Sequence, residues 1–352
     1  MKKSRIYLPK KTITPGRSIQ MNKTKWKIAY NARKWMRKNE PFLDVWHAYV
    51  GHETGLFLAF ENTKTVEEVA EEKNYPEDLL RNWVDVGVAL KHLRKRPNDR
   101  YRTSKSNCGE FLDPDTNHSV GALLKEMMEL HVPTILKFPA LLNSEDRVEF
   151  DHSKFGLTVA ETSAILERFS IKRIHNMVND SEESIVLDIG CGSGGYVRAL
   201  ADRSPNSRIT GYDLNPDVIL EAKEKSKGYE NVSFETEDIL NMDYQQDPAS
   251  LILVHNLLHY ISPDKRVELI GKIASWLKVG GKISIMTPLY DGPHGKAFAS
   301  AFNTFFTSHS NLYGLPTLKN IQRYAEQSGL QLVETTPLIR EGAWYMIELE
   351  KK

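Results

Sequence analysis

Cysteine is almost absent: the 352 residues hold two, Cys108 and Cys191. Two thiols cannot build a disulfide framework, so the chain is expected to work in a reducing cytoplasm. Long apolar runs are missing too, none approaching the roughly 18 residues of a membrane-spanning helix. His and Cys never fall at zinc-ligand spacing and no carboxylate set stands out for magnesium, so no metal is expected. Internal repeats and low-complexity tracts are likewise absent. What is present, 40% hydrophobic and 26% charged residues, is the balance of a globular chain with a sizeable core. The length suits one large domain or two ordinary ones.

Acid is missing from one stretch. Residues 1–38 contain thirteen Lys or Arg and no Asp or Glu, the first acid being Glu40. Thirteen charges taken from a net +1 leave about −12, so a basic head precedes an acidic body. No apolar core of roughly 7–15 residues follows the early lysines, which speaks against a secretory signal. Residues 1–40 are read as a basic leader running into a helix near Trp26–Lys38, solvated rather than a nucleic-acid arm.

Residues 41–145 read as helices with a small hairpin. Thr65 and Glu68, just before an apolar run, form a capping box. Pro76 marks a helix start, and Leu79, Leu80, Trp83 and Val84 give the helix Glu77–Leu90 its apolar stripe. The turn Arg96–Arg100 and the strand Tyr101–Thr103 complete a winged-helix pattern. A DNA-reading helix should offer Arg, Lys, Asn or Gln to base edges. This one sets Glu77, Asp78 and Asp85 against a single cation, Arg81, and the basic cluster Lys91, Arg94, Lys95 and Arg96 comes after it. A dimerising role is expected instead. Gly121–Leu142 is apolar and helical, interrupted by Pro133 and Pro139. Residues 146–180 connect, with a helix over Thr158–Val178, and a polar turn at Asp180–Glu183 opens a second domain, 181–352.

There the period changes. SIVLDIG is short and almost wholly apolar, as a parallel strand covered on both faces should be. A helix (Gly194–Arg203), a strand (Arg208–Tyr212), a helix (Pro216–Ser226) and a strand (Val232–Glu235) follow. Then come a strand (Ser250–Val254), a helix (Pro263–Leu277) and a strand (Lys282–Met286). This alternation predicts an α/β fold, an open parallel sheet wound on both sides. Leu330–Thr335 and Ala343–Glu350 have only a short link, which permits an antiparallel pair.

VLDIGCGSGG sets Gly190, Gly192, Gly194 and Gly195 between a strand and a helix, at the edge where doubly wound sheets bind ligands. Asp213, ending the second strand, can accept both ribose hydroxyls, at roughly 1.5–3 kcal/mol per charge-assisted bond. The same glycines satisfy the dinucleotide fingerprint. Three features argue against NAD. Asp188 would repel a pyrophosphate and welcome an ammonium or sulfonium. Asp238, after the third strand, can accept from an adenine amino group. The sheet also ends in the antiparallel pair.

Asp188-Ile-Gly190-Cys-Gly192-Ser-Gly194 resembles the motif that opens the Rossmann-like class I S-adenosylmethionine-dependent methyltransferases. Tyr212-Asp213-Leu214 resembles their ribose-binding acidic position, Glu237-Asp238-Ile239 their adenine-contacting loop, and Trp276-Leu-Lys-Val-Gly-Gly-Lys282 the turn before their fifth strand. The winged-helix half, with Tyr101-Arg-Thr followed by Gly121-Ala-Leu-Leu, resembles bacterial relatives of caffeate-type small-molecule O-methyltransferases. The resemblance implies S-adenosyl-L-methionine as cofactor and a homodimer formed through the N-terminal domain. It further implies methyl transfer to a small-molecule acceptor, with O-methylation of a hydroxylated or aromatic metabolite ahead of N- or C-methylation. The alternative of another class is a nucleic-acid-binding regulator that keeps the cofactor fold.

Methyl transfer is an in-line displacement that needs an aligned nucleophile and dry surroundings. A hydroxyl of pKa about 10 also benefits from a base. Histidine 259 resembles the base of plant-type O-methyltransferases, with Tyr260 where those carry aspartate. It is expected to be either that base or a cofactor-pocket residue. His255 and Asn256 are expected nearer the sulfonium, His255 as a second catalytic candidate and Asn256 toward the cofactor. Tyr290 and His294, past the fifth strand, and Phe302 on the next helix are the candidate acceptor contacts.

Overall fold

The computed structural model describes residues 23–111, 119–144, 146–178 and 183–352. The first part of the leader, residue 145 at one expected boundary and most of the polar turn at 180–183 lie outside them. Helix α1, Lys23–Glu53, runs unbroken through Pro41, so the division drawn at 40/41 falls within one helix. Pro41 is exposed, and water can serve the carbonyl its missing N–H leaves free. Trp26, Ile28, Trp35 and Met36 on α1 are each more than half exposed.

α2 (Val66–Lys73) starts at Thr65, whose hydroxyl accepts from the Glu68 amide while the Glu68 carboxylate accepts from the Thr65 amide. α3 (Glu77–Ala89) follows Pro76, and β1 (Leu93–Arg96) pairs antiparallel with β2 (Arg100–Thr103). Phe57, Phe60, Val66, Val69, Trp83 and Val84 give this half its own core. Arg81 on α3 is engaged by Glu67, Glu77 and Asp99.

Residues 121–141 form one helical run where the prolines had suggested breaks. α4 (Gly121–Glu126) passes through a π turn, Met127–His131, into α5 (Val132–Leu141), which contains Pro139. Pro133 has no N–H to return to the preceding turn. A wider turn just upstream, closed by the Val132 amide on the Met127 carbonyl, takes up the mismatch.

α6 (His152–His175) leads to the sheet. β3 (Ile185–Ile189), β4 (Arg208–Asp213), β5 (Val232–Thr236), β6 (Ala249–His255) and β7 (Leu277–Pro288) are parallel. β9 (Trp344–Lys351) lies antiparallel between β7 and β8 (Leu330–Ile339), giving the order β5-β4-β3-β6-β7-β9-β8. Helices α7 (Gly195–Ala201), α8 (Pro216–Lys225), α9 (Pro263–Ser275), α10 (Lys296–Thr307) and α11 (Leu318–Gln327) complete the covering of the sheet. Val186 packs on the face shared with α6, α7 and α8, while Leu187 and Ile189 pack on the other. The winding reverses between β3 and β6, which opens a crevice at their carboxyl ends. In the midst of this apolar strand, Asp188 is only 1% exposed.

Candidate functional site

The loop after β3 folds against β4: the Gly190 and Cys191 amides both donate to the Tyr212 carbonyl, at 2.8 and 2.9 Å. The Gly192 amide donates to Asp213 Oδ2 and the Asn215 amide to Oδ1, each at 2.9 Å. Asp213 thereby pins the loop, and each oxygen keeps a lone pair for a hydroxyl donor. Gly194 has φ 76°, and a Cβ there would lie 2.5 Å from the Phe234 ring. Neither the backbone nor the space admits a side chain.

Acids gather beneath this loop. Asp188 Oδ2 is buried with no hydrogen-bond partner among the described residues. Burial, reinforced by Glu167 and Asp213, raises the Asp188 carboxyl to about 8. Glu167 of α6 occupies the space where a Cβ on Gly195 would be. Burial raises it to about 7, against the pull of Arg198, Arg168 and Lys225. An orphaned carboxylate oxygen beside two more acids disfavours phosphate and fits a cation.

Past β6 two histidines diverge. His255 lies with Leu251 and Leu253 on the α6–α8 face, its Nε2 2.9 Å from Ser284 Oγ and its ring edge-on to Tyr196 at 4.5 Å. Burial lowers its pKa to about 3. His259 is stacked on Phe306 at 4.4 Å and tilted against Tyr260 at 4.3 Å. Burial first, then Arg266 and His152, lowers its pKa to about 3, and Nδ1 has no partner among the described residues. A triad-type base needs that nitrogen held by an acceptor. Tyr260, in the aspartate position, supplies no carboxylate.

His259, Asn256, Tyr260 and Phe302 line a cavity of about 40 Å³ that Glu126 and Leu130 of the helical half also line. Asn256 turns left-handed at φ 53°, a conformation asparagine tolerates, and its Oδ1 accepts from Trp344 Nε1 at 3.0 Å. Leu257, the next residue, reaches within 3.0 Å of where a Gly190 Cβ would stand. Loop and cavity therefore meet at one turn.

Residues 186–281 match a family described as a methyltransferase domain. A methyltransferase domain is what this stretch is similar to. The malonyl-[acyl-carrier protein] O-methyltransferase 2 of Ilyobacter polytropus is 32% identical over 134 residues, covering 38% of this chain and 50% of that protein. The chain spans about half the length of the curated relatives it matches. An O-methyltransferase family protein from Burkholderia thailandensis superposes with TM-score 0.75 at 18% identity, over 91% of this chain and 98% of its own. Human N-acetylserotonin methyltransferase, solved with S-adenosylmethionine, gives TM-score 0.70 at 16% identity, over 95% and 99%. At such identities the likeness concerns the fold, and it takes in the helical half as well as the methyltransferase domain.

Within the methyltransferase domain, Asp188, Gly190, Gly192, Gly194, Asp213 and Asn256 share the carboxyl edge of the sheet. Asp238 stands after β5, its carboxylate accepting from the Leu240 amide at 3.0 Å and the Asn241 side chain at 2.7 Å. Ile239 is buried beside it, and Leu214 is exposed just past Asp213. Phe302 joins the cavity, but Tyr290, His294 and His255 do not. His255 points to the opposite face because it keeps the strand parity of Leu251 and Leu253. Tyr290 and His294 are exposed, with the Lys296 ammonium 3.7 Å from the Tyr290 ring centre. Asp291 draws that loop outward by accepting from the Leu318 amide at 2.8 Å. No motif or period marks Glu126, Thr162, Ser163 or Trp344, which reach the cavity from three distant elements.

The paired acids have a pH signature. In the unfolded chain both are ionised near neutrality, so around pH 7–8 the folded state binds more protons. Stability should therefore fall as pH rises through that window. His255 and His259 are neutral there when folded, and largely so when unfolded. Ligand-free protein is expected to melt at a lower temperature at about pH 8.5 than at about pH 7, and Asp188→Asn to flatten the slope. Superimposable melting profiles for variant and wild type would show that Asp188 is not the group that titrates.

Proposed function

We propose that this protein transfers the methyl group of S-adenosylmethionine to a small-molecule acceptor, most simply the hydroxyl of an aromatic or hydroxylated metabolite. One juxtaposition carries the reading: the acid-lined glycine loop and a largely apolar cavity meet at Asn256–His259. Asp213 would hold the ribose hydroxyls. Asp188 and Glu167 would balance positive charge, and Asp238, Ile239 and Leu214 would border the adenine. When bound, S-adenosylmethionine would supply an electrophilic methyl: the O–CH₃ bond would form as the S–CH₃ bond breaks, a neutral thioether would leave, and the hydroxyl proton would be lost to bulk solvent. The chain aligns the acceptor and keeps water away. His259 fits a neutral wall of the site better than a base, since a group held at about 3 takes a phenolic proton poorly. The names of the structural neighbours favour oxygen over nitrogen or carbon as the methylated atom.

The exposed apolar residues of α1 support a homodimer formed through the helical half. Arg81, engaged by three carboxylates, gives the nucleic-acid reading no support. A cytoplasmic setting agrees with two free, buried cysteines, and no helix among the described residues is long and apolar enough to cross a membrane. Titration calorimetry tests the central claim: adenosylhomocysteine is expected to bind and NADH to give no heat. The reverse result would sink it.

A further inference from the structure

If the protein is a methyltransferase, its acceptor must fit the cavity wall that the helical half provides. Among the described residues lining that cavity, Glu126 is the only carboxylate; its neighbours there include Leu130, Phe302, Phe305 and Phe306. Its Oε1 lies 3.2 Å from His131 Nε2, and Oε2 has no hydrogen-bond partner among the described residues. His131 is 2% exposed, with its ring centre 4.2 Å from that of Phe305 and 4.9 Å from that of Phe302. The π turn makes this pairing. Residues five apart point to different sides of an α-helix, whereas a turn closed between i and i+5 brings them toward one side. Glu126 thus sits at the last α-helical position, on the cavity wall, with His131 folded back on one of its oxygens.

A carboxylate on the wall of a largely apolar cavity is best matched by a ligand that brings a hydrogen-bond donor. We propose that Glu126 is the acceptor-recognising residue, and that the acceptor belongs to the class of small molecules carrying a hydroxyl or protonated amine on a compact apolar body. This rests on the methyl-transfer reading. The donor's hydrogen points at Glu126 Oε2, and the apolar body lies against Phe302 and Phe306. About 40 Å³ has room for only a few water-sized groups. A small acceptor, or the small end of one, is the occupant.

The test uses the full chain saturated with adenosylhomocysteine and two probes of nearly equal shape, phenol and fluorobenzene, titrated by ligand-observed NMR. Phenol is expected to bind about tenfold more tightly than fluorobenzene, the scale of one charge-assisted hydrogen bond. In Glu126→Gln the preference should shrink to about threefold or less, with adenosylhomocysteine affinity within about twofold of wild type. If that variant does not fold, Glu126→Asp, which withdraws the carboxylate, should weaken phenol and spare fluorobenzene. An unchanged preference in either folded variant overturns the proposal, as does absence of phenol preference in wild type that binds adenosylhomocysteine. Failure of wild type to bind adenosylhomocysteine would instead defeat the methyl-transfer reading.

Discussion

Asp213→Ala is expected to weaken adenosylhomocysteine binding about a hundredfold or more, read by titration calorimetry. Two losses combine. The ribose would forfeit two charge-assisted bonds worth roughly 1.5–3 kcal/mol each, and each 1.4 kcal/mol is tenfold. The loop would also lose its pin, because the Gly192 and Asn215 amides both donate to that carboxylate. Freed amides turn to water, and the glycine loop must then be ordered at the expense of binding. Asp213→Asn, which keeps one acceptor oxygen, should fall between the two. A loss of less than about fivefold in the alanine variant would mean that the ribose is held elsewhere.

The second large effect concerns stability. Arg266 is 2% exposed and has no carboxylate beside it in the hydrogen-bond pattern. Its Nε donates to the carbonyls of Leu258 and Ile261, both at 2.9 Å, and Nη2 to that of Gly314 at 2.7 Å. One guanidinium thus ties the turn carrying His259 to the segment before α11. Arg266→Met keeps much of the volume and strands the Ile261 and Gly314 carbonyls, while that of Leu258 keeps the Ile261 amide at 3.3 Å. Each buried carbonyl without a donor costs about 1–3 kcal/mol, so a total loss of about 2–5 kcal/mol is expected in urea denaturation. A loss below about 1 kcal/mol would show that water reaches those carbonyls and that the turn is held otherwise.

Much of the sheet was legible in the sequence because full burial dictates it. Within SIVLDIG the strand Ile185–Ile189 has no polar residue except Asp188, and a strand covered on both faces leaves few other patterns. The glycine loop was legible for a related reason, since Gly194 stands where no side chain can. The antiparallel end also followed from its short link. The acceptor side was far less readable. His255 and His259 are four residues apart and share a composition, yet strand parity sends one beneath the sheet and the turn after Asn256 sends the other into the cavity. Tyr290 and His294 were expected at the right edge of the sheet. Bonds to distant residues hold their loop instead: the Tyr290 amide to the Pro316 carbonyl, the Leu318 amide to Asp291, and the His294 amide to the Tyr345 hydroxyl. Glu126 and His131 were hidden for a different cause: a pair five apart belongs to neither the helical nor the strand period, and a π turn leaves no mark in either.

The place of β9 has a consequence for how the molecule is made. This late strand fills an interior slot, with β7 on one side and β8 on the other, and its Trp344 reaches Asn256 at the cavity. Until residues 344–351 have left the ribosome, β7 and β8 face each other across a gap with open hydrogen-bonding edges. The helical half has its core complete by residue 108 and can assemble during synthesis. The sheet half must wait, and a nascent chain stalled between the two stages would display a bare sheet edge to chaperones.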